Sequence, residues 1–301
     1  MQTDRALLRD AAEVLRSAGL RASIVVRDLG SGRELSLAGE DTYPLASVVK
    51  LPLALAVLQR IDEGRLDPAR PVTLRPDDRT PGLVGYCRFQ HPTTVAVADL
   101  LYMAVCLSDD TAADALFDLC PPAAVTASLR EAGITGITVR HSIRELHRTL
   151  ASVLPPEQMP QALALAIRAS TRGGGHLIPQ LDVSSANAGT ANACVELLDR
   201  IWRSPALAPQ QDRLRGLLAM NVMRQRLAPD LESDDAVWHS KTGTFLHLRH
   251  EIGVLEHADG RAIAIAVLSE SSVPAQRQPA AEQALGLAAK LLHDRVRSAP
   301  A

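Results

Sequence analysis

Aromatic side chains are scarce in this chain: two Trp, three Tyr and three Phe among 301 residues. Single-stranded nucleic acid is held largely by bases stacking on aromatic faces, so the composition argues against that function. An excess of charge of one sign is also missing. Lys and Arg total 32 against 34 Asp and Glu, a net charge of −2, and no long basic block occurs. A polyanion finds little to neutralise it, and no nucleic-acid partner is expected. The longest apolar run, Leu51 to Leu58, is too short to span a bilayer. Met1 to Asp10 is charged and amphipathic and lacks an apolar signal core. The sequence therefore predicts no signal peptide, no membrane partner and a cytoplasmic location. The four cysteines, Cys87, Cys106, Cys120 and Cys194, form no CxxC pair and no metal-like pairing with histidine. Three of them sit in apolar helical surroundings and read as small buried hydrophobes. Lysine itself is rare: Lys50, Lys241 and Lys290 are the only three. Where this chain needs a generic positive charge it uses Arg, whose proton is permanent, so each Lys calls for a local reason.

What is present is ordinary globular material, 47% hydrophobic and 22% charged, in a chain long enough to bury a large core. Ala6, Leu7, Ala11, Val14 and Leu15 recur at helical spacing and predict a helix over 4–18. After Gly19, the β-branched run from Ala22, a Gly30-Ser-Gly turn and Arg33–Leu37 predict a hairpin. From about 47 to 230 the pattern is mostly helical, broken near 66–85, 121–122, 155–160 and 172–180. Gly173-Gly-Gly lacks the strand and lysine of a phosphate loop and reads as a flexible connection. Strands return at Ala236–Thr242, Arg249–His257 and Ala262–Ser269, the last two joined by an Asp259-Gly260 turn, and a helix over about 275–296 follows. Two N-terminal strands cannot form a stable layer alone. The expected fold is therefore α+β: an antiparallel sheet of about five strands flanked by N- and C-terminal helices, with an all-helical lobe inserted. Residues 1–46 and 231–301 would form the α/β lobe and 47–230 the helical lobe of one catalytic domain, with a site in the cleft between them.

Three short motifs carry chemistry. Ser47 and Lys50 lie three apart at the head of an apolar helix, so the ammonium can reach the hydroxyl and make it a nucleophile. The same pair also fits an N-cap serine beside a solvated lysine. Ser108-Asp-Asp-Thr-Ala-Ala-Asp114 fits a helix N-cap followed by an acidic first turn. His239-Ser-Lys-Thr-Gly-Thr244 lies at a strand end, entering a turn. Each is weak alone, but they occur in one order, 61 and 133 residues apart from Ser47 to Ser108 to Lys241. Together with Thr94–Leu101 before the second motif and the strand pair after the third, they resemble the class A β-lactamase and penicillin-binding-protein family of active-site serine enzymes, over nearly the whole chain.

That resemblance implies roles. Ser47 would attack a carbonyl and become acylated, Lys50 would take its proton directly or through water, and Ser108 would relay a proton to the leaving nitrogen. Asp110, Lys241, Thr242 and Thr244 would bind the substrate, Lys241 by anchoring its carboxylate. The N–H groups of Ser47 and Thr244 would form an oxyanion hole. Asp110 stands where the family usually has Asn, a group that both accepts and donates. An ionised Asp only accepts, and it strengthens Lys50's hold on its proton. The family's water-positioning Glu-x-x-x-Asn has no clean match. Glu145 is the nearest candidate, with Thr149 at the Asn position and an extra helical stretch over about 157–170 after it. His239 and His247 flank the third motif as packed strand histidines or cleft residues. The implied activity is hydrolysis of a β-lactam or related amide through acyl-Ser47. Its substrate would be a small molecule with a reactive carbonyl and a carboxylate, with no metal or organic cofactor. The alternatives are a cytoplasmic esterase, amidase or thioesterase on a biosynthetic intermediate, and a domain that is acylated without turnover.

Overall fold

The computed structural model describes residues 3–169 and 171–298. Helix α1, Asp4–Ser17, starts where the Thr3 hydroxyl accepts from the Ala6 N–H, and it buries Leu7, Ala11 and Leu15 along one face. Gly19 follows at φ +72°, a left-handed conformation cheap only for glycine, and turns the chain into strand β1, Leu20–Asp28. Strand β2, Glu34–Leu37, returns beside it. The other strands come from the far end of the chain: β3, Ala236–Phe245; β4, Leu248–His257; and β5, Ala262–Ser271. They form one five-stranded antiparallel sheet in the order β2-β1-β5-β4-β3. Leu20 pairs with Ser271 and Asp28 with Ile263, so the first and last long strands lie side by side.

Helix α2 covers Lys50–Asp62, α3 Asp110–Leu119, α4 Ile143–Val153 and α5 Pro279–Arg297. Alternate strand residues face opposite sides. Ile24, Val26, Ile263, Ile265 and Val267 pack against α1 and α5, while Val25, Ala264, Ala266 and Leu268 join the core around α2. Both faces are covered, which is why β5 reads as an unbroken apolar run rather than an alternating one. Every residue of α2 from Lys50 to Leu58 is buried, the mark of a helix surrounded on all sides.

Three details differ from the sequence reading. Strand β3 does not turn at Thr242 but runs on to Phe245, so Lys241 to Thr244 all lie in the strand. Two small sheets also form, largely within the mostly helical middle: Thr42–Pro44 and Ile137–Thr138 on either side of Ala188–Thr190, and Pro71–Leu74 with Thr93–Ala96. The stretch expected over 157–170 is a 3-10 turn, Pro156–Gln161, leading into a helix, Ala162–Arg168; Ser170 lies outside the described residues, as do residues 1–2 and 299–301. Among the described residues no helix is long and apolar enough to cross a membrane.

Candidate active site

Ser47 sits in a 3-10 turn, Ala46–Val49, and α2 begins only at Lys50. The turn is held from three sides. Leu45 donates its N–H to Asn187 O at 2.7 Å, and the buried His250 bonds Pro44 O through Nε2 at 2.8 Å. The third side is Gly243 of β3, where an added Cβ would fall 2.8 Å from Leu45 O and 3.2 Å from Val48 N. The glycine of the third motif therefore lets the strand backbone close on the turn that carries Ser47. Ala46 is held at φ +47°, a left-handed conformation that a side chain adopts only when its surroundings impose it.

Ser108 is a second left-handed residue, at φ +58°. Of the two residues that could cap the helix here, Ser108 and Asp109, the cap is Asp109. Its Oδ1 accepts from Ala112 N at 2.9 Å and its Oδ2 from Tyr86 N at 2.6 Å. Capping by the next residue leaves the Ser108 hydroxyl free to meet both rare lysines. Lys241 Nζ donates to Ser108 Oγ at 3.0 Å and to Thr242 O at 2.9 Å. Lys50 Nζ lies 3.3 Å from Ser108 Oγ, 2.6 Å from Ser108 O and 2.6 Å from Asp110 Oδ1. An ammonium has three N–H groups, and these three acceptors match them. No hydrogen bond joins Lys50 to the Ser47 hydroxyl, as the spacing had led one to expect; the ammonium points to the second motif instead.

The charges follow from this geometry. Burial works to raise the Asp110 pKa, but Lys50 and His147 overcome it and hold the carboxyl at about 2. Lys241 is fully buried, and among the described residues no carboxylate forms an ion pair with its ammonium. Burial first, and then the neighbouring Lys50 charge, push its pKa well below the usual lysine value.

Below β3 lies a network the sequence did not reveal. Arg226, 2% exposed, donates through Nη2 to Thr244 Oγ1 at 2.8 Å and through Nη1 to His250 O at 3.1 Å. The fully buried Glu251 accepts from Trp238 Nε1 at 2.8 Å, Ser240 Oγ at 2.9 Å and the Arg226 and Leu227 N–H groups. Thr242 is buried opposite Glu251 in the ladder. Ser47, Asp110 and Thr244 line one pocket, together with Ile143, His147 and Phe245.

Residues 6–296 match the model of the β-lactamase enzyme family. This chain belongs to that family. It is 49% identical, over 99% of both chains, to the β-lactamase regulatory protein BlaB of Streptomyces cacaoi. Over 49% of its length and 50% of the relative's, it is 27% identical to β-lactamase VEB-1 of Pseudomonas aeruginosa. Among solved structures, a variant of the last common ancestor of Gram-negative class A β-lactamases superposes with a TM-score of 0.73 at 26% identity, covering 96% of this chain and 97% of that one. PBP-A shares the fold at a TM-score of 0.73 and 18% identity, over 97% and 96% of the two chains.

Helix α4 forms one wall of the pocket. Glu145 is exposed, and its nearest bond is from the Ser142 hydroxyl at 3.4 Å, so the structure does not bring it to Ser47. Helical spacing instead turns Ile143, Leu146 and His147 into the pocket. Thr149 accepts from Gln180 Nε2 at 2.9 Å. His147 Nε2 stands 3.6 Å from Asp110 Oδ2, and its ring meets Phe245 edge to face at 5.9 Å. The sequence reading passed over His147 and Arg226. The apolar stripe Ile143, Leu146, Leu150 was the available signal that Glu145 faces away. His239 is a packed strand histidine, against Trp202 and 3.2 Å from Arg215 O. His247 is buried at the β3–β4 turn, outside the Ser47 pocket. Cys106, Cys120 and Cys194 are buried free thiols and Cys87 is half-buried. Among the described residues, no group of three or more His, Cys, Asp and Glu could hold a metal ion.

Proposed function

We propose that this β-lactamase-family chain is an active-site serine hydrolase that opens a β-lactam or related amide through an acyl-Ser47 intermediate. The observation that carries this reading is the Ser108 hydroxyl held between Lys241 at 3.0 Å and Lys50 at 3.3 Å, next to the pocket lined by Ser47 and Thr244. Because Ser108 Oγ accepts from both lysines, its own proton is free to move. As Ser47 Oγ attacks the carbonyl carbon and the C–N bond breaks, Ser108 gives its proton to the leaving nitrogen and regains one from Ser47. In this relay Lys50 stays an ammonium paired with Asp110 and acts as a fixed positive charge. A carboxylate on the substrate would give Lys241 the counter-ion it lacks and raise its proton affinity, so binding and protonation are linked. Thr244, braced by Arg226, would hold the same carboxylate. The N–H groups of Ser47 and Thr244 would receive the developing oxyanion, with ~3–4 kcal/mol lost per missing donor.

Two alternatives share the acyl-Ser47 step. A cytoplasmic esterase, amidase or thioesterase would use it on another activated carbonyl. Acylation without turnover is favoured by one observation, the exposure of Glu145 on the far side of α4, and accords with the regulatory name of the Streptomyces relative. Intact-protein mass read alongside absorbance, on mixing with a chromogenic cephalosporin, separates the readings. Colour with a transient adduct, both lost in Ser47→Ala, is the expected result. A lasting adduct without sustained colour selects the non-turnover reading. Ester cleavage without any reaction with the cephalosporin selects the esterase.

A further inference from the structure

We propose that His147 is the base that hydrolyses the acyl-Ser47 intermediate, with the Asp110 charge favouring its tautomer. This rests on the acyl-serine reading above and extends it to the second half of the reaction. The titratable side chains lining the pocket are Asp110, His141 and His147. Two of them are already committed. Asp110 gives Oδ1 to Lys50 at 2.6 Å, and with a pKa of about 2 it has little appetite for a proton. His141 faces Ser142 O with Nδ1 at 2.9 Å and accepts from Asn187 N with Nε2 at 3.1 Å, so both ring nitrogens are spent on the backbone. Burial also lowers its pKa. His147 is left.

Its setting suits the task. The side chain is 23% exposed, enough for water to reach it, and it projects from α4 one turn beyond Ile143, with which it shares the pocket wall. Nε2 faces Asp110 Oδ2 across 3.6 Å. An ionised carboxylate only accepts, so Asp110 favours the tautomer with its proton on Nε2 and the Nδ1 lone pair free. As a positive charge develops on the ring, the same carboxylate stabilises it. In the step itself, water oxygen bonds to the acyl carbonyl carbon while one water proton passes to Nδ1. The tetrahedral carbon then expels Ser47 Oγ, which takes that proton back. One water is consumed, a carboxylic acid leaves, and Ser47 and His147 return to their starting states.

The test is rapid mixing of the full chain with a chromogenic cephalosporin, quenched at intervals for intact mass. His147→Gln should retain the Ser47 adduct and slow its decay about 100-fold or more, the usual worth of a general base. Imidazole added to His147→Ala should restore the decay, which a merely structural role for the ring would not allow. Glu145→Gln should decay like the wild type. An adduct in His147→Gln that decays at the wild-type rate overturns the proposal, as does a wild-type adduct that never decays. Both leave acylation of Ser47 standing. No adduct and no colour in the wild type would instead sink the acyl-serine reading, and this proposal with it.

Discussion

The site has two sides built to different standards. On one side Lys50, Ser108 and Lys241 lie among buried partners, and Gly243 lets the strand press against the Ser47 turn. On the other, α4 offers an isoleucine, a leucine and one histidine, with its own carboxylate, Glu145, turned to solvent. A group that is buried, charged and fully bonded cannot move cheaply, because each lost partner leaves an unpaired group in low dielectric. The groups proposed for attack on the carbonyl are therefore locked in place. Those facing any later water are held by fewer contacts.

The contrast can be broken from either side. Asp110→Asn should have the largest effect on stability, because it leaves the fully buried Lys50 without its counter-charge; about 2–3 kcal/mol near neutral pH is expected. The sign with pH is fixed. Asp110 has a folded pKa of about 2, below the usual carboxyl value of 3.8, so its contribution is present above about pH 4 and fades as pH falls through 2. Denaturant titrations of wild type and variant should therefore converge in acid. A gap that stays constant with pH would mean the pair contributes no net charge stabilisation. Gly243→Ala comes next. Its Cβ would press on the backbone of Leu45 and Val48, costing about 1–2 kcal/mol by overpacking, and it would displace Ser47, so acylation should fall more steeply than the melting temperature. Equal losses in both would show that the close approach serves packing alone. Glu145→Gln should be smallest, within about 0.5 kcal/mol by denaturant unfolding and with turnover unchanged. A large loss of turnover there would erase the difference between the two sides.

The deeply bonded side was also the legible one. The order of Ser47, Ser108 and Lys241 could be read because lysine is so rare in this chain. The hairpin signals gave β1, β2, β4 and β5 to within a few residues. What stayed hidden has physical causes. The helix cap was legible as Ser108 or Asp109; what no local pattern encodes is the second bond of the Asp109 carboxylate, to the N–H of the distant Tyr86. Arg226 was invisible in a chain where nearly every cation is arginine; only the fold places it under Thr244. Lys50 turned from Ser47 because Asp110 offers a full charge, and its spacing along the helix says nothing of how acceptors compete. A single histidine carries no spacing signal, so His147 emerged only when α4 was set against α3.

The pairing of β1 with β5 has a consequence for assembly. Leu20 must find Ser271 across about five-sixths of the chain, and such distant pairings are entropically late. On a ribosome the residues around Ser47 and Ser108 emerge long before Lys241, and the central strand pair of the sheet cannot close until the final hairpin has appeared. A chain being synthesised therefore holds Ser47 and Ser108 before the strand that carries Lys241, and the contact of Lys241 with Ser108 forms only once that strand has followed.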